Sequence, residues 1–191
     1  MKYLKFFEGY QSESEVAKIC KEYGIKNWSL VDGLVNVDGN VNLYYMGLTE
    51  LPLKFGTVTG SFDCIRNKLT SLVGCPNRVG RYFYCSINEL TSLEGCPQSV
   101  GVDFYCSYNN IREFTGIKYI GGELYCDFNP ISNIWKIISP SREWDEDQMD
   151  LFEDLSVIQD DEEAVAIERL NFFLEEIGLE PVEKVDGYIN I

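Results

Sequence analysis

The chain has no histidine among its 191 residues. Without one there is no Ser–His or Cys–His nucleophile pair and no histidine-bearing metal site. Its cysteines never stand as CxxC, so the usual thiolate zinc spacings are missing as well. No Gly-rich phosphate loop is present. No apolar run approaches the roughly 18–20 residues that cross a bilayer. The opening MKYLKFFEGYQSESE sets Lys5 and Glu8 within its short apolar stretch and has no small-residue cleavage site. It does not read as a secretory signal, and a cytosolic location is expected. No basic stripe exists on which nucleic acid would lie. These absences lead us to expect no enzyme activity, no metal or cofactor, and neither nucleic acid nor membrane as partner.

Positive charge is missing from one stretch in particular. From Glu143 to Glu163 there are eleven Asp or Glu and no Lys or Arg. Residues 1–142 balance at fourteen of each sign, so the whole net charge of −15 lies beyond them. Three readings of this acidic run stay open: a solvated face with acids gathered at helix N-termini, a docking surface for a basic partner, or mimicry of nucleic acid. Helical spacing of ~1.5 Å per residue places one acid per roughly 3 Å, sparser than the one charge per ~1.7 Å of duplex DNA.

What the chain has in quantity is a repeat. Cys64, Cys85 and Cys106 are 21 residues apart, with Cys126 following after 20; Cys75 and Cys96 are also 21 apart. Cysteines in step with a repeat occupy equivalent places, and their expected role is as small, reduced core residues stacked in columns. Other columns keep the same step. Val41, Phe62, Phe83, Phe104 and Leu124 form one; Asn67, Asn88, Asn109 and Asn129 form another, with Met46 in the first unit. Leu48, Leu69, Leu90, Ile111 and Ile131 follow, then Leu51, Leu72, Leu93, Phe114 and Ile134. Val58, Val79, Val100 and Ile120 open the units. Five units of 20–21 residues run from about Val37 to Ile138, and a fixed period in this range means a solenoid.

Within a unit, Phe83 and Cys85 alternate with Tyr82, Tyr84 and Ser86. Period two makes a short strand, with Phe and Cys inward and Tyr and Ser outward. The Asn sits where the strand turns, and its amide replaces ladder bonds lost there. Three outward columns follow: Asn40, Ser61, Tyr82, Asp103, Glu123; then Asn42, Asp63, Tyr84, Tyr105, Tyr125; then Tyr44, Ile65, Ser86, Ser107, Asp127.

Both ends read as caps. Ser12 and Glu15 form a capping-box pattern before the stripe Val16, Ile19, Cys20 and Tyr23, and Gly24 ends that helix. Asp32–Gly33 signals a tight hairpin feeding the first repeat strand. After Pro140 two helices are expected. Asp145 and Gln148 cap one that buries Met149, Phe152 and Leu155; Asp160 and Glu163 cap another that buries Ala166, Leu170, Phe173, Leu174 and Ile177. The expected organisation is an N-terminal cap over 1–36, repeats over 37–138 and an acidic helical cap over 139–191.

The unit FYCSINELTSL fits the pattern LxLxxNxLxxL and resembles a leucine-rich repeat, with Phe and Cys in the first two Leu places. The wording of NKLTSLVGCP and the closing FNPISNIWKII is similar to the leucine-rich repeat proteins of large tailed bacteriophages. That resemblance implies a phage protein in the cytoplasm of an infected bacterium. The expected function is non-enzymatic binding of a host bacterial protein, or of a basic surface, with counter-defence as one purpose. A virion or assembly component and an acidic nucleic-acid mimic remain alternatives. Oligomeric state stays open. The binding residues expected are Tyr82, Tyr84, Tyr105, Tyr125, Asp63, Asp103 and Glu123 on the sheet, with Asp145, Glu146 and Asp147 in the acidic cap. Tyrosine joins a large apolar body to a polar tip, which suits contact surfaces, although sheets favour it in any case.

Overall fold

A computed structural model of the chain describes residues 12–112, 116–138, 158–159, 164–186 and 189–190. It is a parallel-strand β-solenoid of about four turns, with a helix before it and a helix after it.

Helix α1 (Glu13–Glu22) starts as its sequence dictates. The Ser12 hydroxyl accepts from the Glu15 N–H, and the Ser12 N–H donates to the Glu15 carboxylate at 2.9 Å. Those bonds from Ser12 hold the Glu15 carboxyl below the usual range. Val16 and Cys20 are buried, and Gly24 exits in the left-handed region at φ 66°. Strands β1 (Trp28–Val31) and β2 (Leu34–Val37) then form an antiparallel hairpin. Asp32 and Gly33 both take positive φ, 51° and 78°, as a tight two-residue turn requires.

The solenoid has two walls where one was expected. One wall stacks β3 (Val41–Asn42), β5 (Phe62–Asp63), β7 (Phe83–Tyr84), β9 (Phe104–Tyr105) and β11 (Leu124–Tyr125) in parallel. Val41 pairs with Phe62, Phe62 with Phe83, Phe83 with Phe104 and Phe104 with Leu124, so the column read from the sequence is the observed register. The other wall stacks β4 (Phe55–Val58), β6 (Arg78–Val79), β8 (Ser99–Val100) and β10 (Tyr119–Ile120). The hairpin joins this second wall, because β2 pairs with β4. It does not simply lead into β3.

Between the walls lies one continuous core. The Phe62 ring meets Phe55 edge-on at 5.1 Å and stacks on Phe83 at 5.8 Å; Phe104 continues the row at 4.9 Å from Phe83. Cys64, Cys85, Cys106, Leu69, Leu90 and Ile111 are fully buried beside them.

Two devices let the turns stack. The first is the asparagine column. Asn67 Oδ1 accepts the N–H groups of Met46 and Leu48, each at 3.0 Å, while Nδ2 donates to the carbonyls of Leu43 and Cys64 at 2.8 and 2.9 Å. In the following turns Asn88, Asn109 and Asn129 donate to two carbonyls in the same way and accept one N–H each, from Leu69, Leu90 and Ile111. Each amide thus satisfies backbone groups that the corner leaves outside any ladder. The second device is glycine. A Cβ on Gly80, Gly101 or Gly121 would collide with the backbone carbonyl of Thr59, Gly80 or Gly101 respectively, so these turns close up only without a side chain.

Helix α2 (Ser132–Ile138) ends the last unit and buries Ser132, Ile134 and Ile138. Helix α3 (Ile167–Glu176) buries Leu170, Phe173 and Leu174, and Gly178 leaves it at φ 75°. This helix starts later than Asp160 and Glu163 suggest. Its N-cap is Ala166, which makes no side-chain cap bond. Ala164–Val165 instead form a strand, β13, between β12 (Ile158–Gln159) and β14 (Ile189–Asn190). Asn133 Nδ2 donates to the Asp186 carbonyl at 2.7 Å, tying the end of the chain to α2. The expected first acidic helix, with Met149, Phe152 and Leu155, lies outside the described residues, as does Phe114.

Candidate partner-binding face

The outward side of the five-stranded wall follows from strand alternation. Phe62, Phe83 and Phe104 point in and are fully buried, so Asp63, Tyr84 and Tyr105 point out. Parallel pairing then brings Tyr84 beside Tyr105 and Tyr105 beside Tyr125. Neighbouring strands lie about 4.8 Å apart, close to the separation of stacked rings. The rings use that match. Tyr84 and Tyr105 stack at 4.9 Å and 24°, Tyr105 and Tyr125 at 4.5 Å and 4°. Tyr82 joins along the strand, 5.7 Å from Tyr84. All four tyrosines picked from the sequence thus form one array. Aromatic pairs of this kind contribute about 0.5–1.5 kcal/mol beyond their area burial.

Carboxylates frame the array. Asp103 Oδ2 accepts the Tyr105 hydroxyl at 3.1 Å, and Asp103 Oδ1 accepts the Glu123 N–H at 2.9 Å. Burial first, then the bond to Asp103 and its negative charge, push the Tyr105 hydroxyl up to about 12. Burial leads the causes that raise Tyr84 too, followed by Tyr82 and by Asp63 and Asp103. Asp63, half-buried on β5, accepts the Ile65 N–H at 2.9 Å; burial raises its carboxyl and that bond partly offsets the rise. At the other side the Arg81 guanidinium lies 5.8 Å from the Tyr82 ring centroid, within cation–π range. Glu123 is exposed two residues before Tyr125. Asp145, Glu146 and Asp147 fall outside the described residues, so the face is built without them.

The sequence reading overlooked a second row along the rim of this wall. Tyr45, Arg66, Ile87, Tyr108 and Phe128 all take left-handed φ, between 55° and 58°. Each stands directly before a member of the asparagine column or, for Tyr45, before Met46. The N–H groups of the first four bond the next turn, Tyr45 to the Ile65 carbonyl, Arg66 to that of Ser86, Ile87 to that of Ser107 and Tyr108 to that of Asp127, which fixes the corner. Left-handed backbone costs an L-residue about 1–2 kcal/mol. Even so, the side chains are large and exposed, 74 % for Tyr45 and 67 % for Phe128, and Tyr108 stacks on Phe128 at 4.2 Å. The available signal was a large apolar or aromatic residue before three of the four column asparagines, Ile87, Tyr108 and Phe128, at a place where the core has no use for it.

Chemistry behind the face is muted. All seven cysteines are free and buried. Burial pushes the thiols of Cys75, Cys85 and Cys106 well up, and raises Cys96 and Cys126 to about 12. Such thiols stay protonated at neutral pH and are poor nucleophiles. Among the described residues no group of three His, Cys, Asp or Glu is placed to hold a metal ion, and no helix is long and apolar enough to cross a membrane. Comparison with models of known protein families, with curated proteins and with solved structures finds no match to this chain.

Proposed function

We propose that the chain is a non-enzymatic protein-binding module whose contact surface is the tyrosine face of the solenoid. The observation that carries this reading is the four-ring array of Tyr82, Tyr84, Tyr105 and Tyr125, held by Asp103 on a rigid wall. Rigid aromatic anchors fixed before contact lose little entropy on binding, which is what recurrent interface residues supply. The strained rim adds apolar area beside them. On this reading the repeats are of the leucine-rich type and the chain acts as a phage protein in the cytoplasm of an infected bacterium. Its partner there is a host bacterial protein, and blunting a defence is one use of such binding. What supports the phage and repeat assignments is the wording of the repeats; the fold supports binding without naming the partner.

The test is capture from phage-infected cells with wild type and Tyr105→Ala side by side. A host protein retained by the first and lost by the second is the expected result. Equal capture by both, with the variant folded, would remove the face from the account. Mass spectrometry of purified particles checks the placement: an abundant virion protein would instead be an assembly component.

A further inference from the structure

We propose that the tyrosine face takes an extended protein segment carrying Lys or Arg side chains. This rests on the binding role just given and adds the chemistry of the partner. The first argument is charge. Residues 37–138 are almost balanced, with eight Lys or Arg and nine Asp or Glu. The two signs are nevertheless segregated. The outward positions of the five strands hold Asp63, Asp103, Glu123 and Asp127 and no base; two bases border them, Arg66 on the rim and Arg81 against the Tyr82 ring. An acidic face on a balanced body is a local field, separate from the net charge beyond residue 142. A cationic side chain is drawn to it and an anionic one repelled.

The second argument is the pairing of rings with carboxylates. Asp103 and Tyr105 stand two residues apart on the same side of the wall, and Glu123 and Tyr125 repeat the pair on the adjacent strand. A guanidinium or ammonium set there meets an aromatic surface and a carboxylate together. The molecule already contains the ring half of such a contact, since Arg81 of its own chain lies against Tyr82 at the other end of the array. Tyr125 ends the stack and remains 40 % exposed. The third argument is area. Five strands at about 4.8 Å by about 17 Å of strand make a face on the order of 350 Å². A globular partner of standard size needs about 800 Å² per side, whereas an extended segment needs far less.

The probe is a blocked ten-residue peptide alternating Arg and Thr, with the Glu–Thr peptide as control, titrated into the full-length protein while the tyrosine ring signals are followed by NMR. The Arg peptide should shift Tyr105 and Tyr125, weaken with added salt, and exceed the Glu peptide by at least about tenfold in affinity. Asp103→Asn with Glu123→Gln should weaken it by about tenfold. Asn keeps the acceptor that holds the Glu123 N–H, so the fold is spared. Ser86→Lys, which adds a positive charge to the face and replaces no ring, should abolish binding. Neutralising Asp145, Glu146 and Asp147 should change affinity by less than about twofold. Peptide binding that survives Ser86→Lys, or that is lost only with the 145–147 change, overturns the proposal. So does a natural partner that needs Tyr105 but is indifferent to the Asp103 and Glu123 changes; that outcome leaves the face's binding role standing.

Discussion

The two walls climb the same solenoid, yet they present different surfaces. The six-stranded wall turns small or unrelated residues outward, Thr57, Arg78, Ser99 and Tyr119 in successive strands, and follows them with the glycine column. There the backbones close until only glycine fits. The five-stranded wall turns out tyrosines that stack on one another, the central one of the stack, Tyr105, bonded to the Asp103 carboxylate. A stacked sheet needs close turns, which the first wall supplies. It has no equal need for four aligned rings. The contrast separates what builds the solenoid from what the solenoid displays.

The largest expected effect tests the framework common to both walls. Asn67→Ala leaves two N–H groups and two carbonyls without their side-chain partner, and unsatisfied buried groups cost about 1–3 kcal/mol each. Partial rescue by water limits the sum to about 3–5 kcal/mol, read from the denaturant midpoint. A loss below about 1 kcal/mol would mean the corners hold without the amides. Next comes the glycine wall. Gly101→Ala should cost about 2–3 kcal/mol through collision with the Gly80 carbonyl, while Ser99→Ala two residues earlier, on β8, should be nearly neutral. Equal effects would erase the distinction between close turns and ordinary strand positions.

A smaller effect is expected behind the tyrosine wall. Cys85→Ser places a hydroxyl in an apolar, fully buried column and should destabilise by about 1–3 kcal/mol. In the native protein Cys85 and Cys106 should react with a thiol reagent only at the rate of unfolding; fast native modification would contradict the buried columns. Smallest is a titration. Tyr105 is raised to about 12 in the folded state, above the usual tyrosine value of about 10. The folded state therefore holds its proton more tightly. Its contribution to stability is complete below about pH 10 and is lost as pH rises through about 12. Ultraviolet titration should show a late step that Tyr105→Phe removes, and its persistence in that variant would assign it to another tyrosine.

Much of this arrangement is legible in the chain. The period-two strands, the asparagine corners and the Ser12–Glu15 box are local patterns, and each repeats or has a capping partner a few residues away. The second wall was less visible. Its strands are two to four residues long, and Arg78–Val79 or Ser99–Val100 is too short to show alternation. Val58, Val79 and Val100 marked the column without declaring a sheet. The left-handed corners are hidden for another reason: Ile87 and Tyr108 are poor formers of that backbone, so propensity argues against the conformation that the inter-turn hydrogen bonds impose. The start of α3 shifted because Ala164–Val165 pair with distant Ile189–Asn190, a contact no local pattern announces.

The claim at the centre is that the tyrosine wall binds, and dissociation kinetics of a captured partner test it most directly. Tyr105 stacks on both Tyr84 and Tyr125, so its removal opens the middle of the array. Tyr105→Ala should speed dissociation by about tenfold or more, equivalent to the 1–2 kcal/mol of an interface anchor, with circular dichroism unchanged. Neutralising Asp145, Glu146 and Asp147 should leave that dissociation rate unchanged. An unaltered dissociation rate for folded Tyr105→Ala would show that the stacked tyrosines serve the sheet alone.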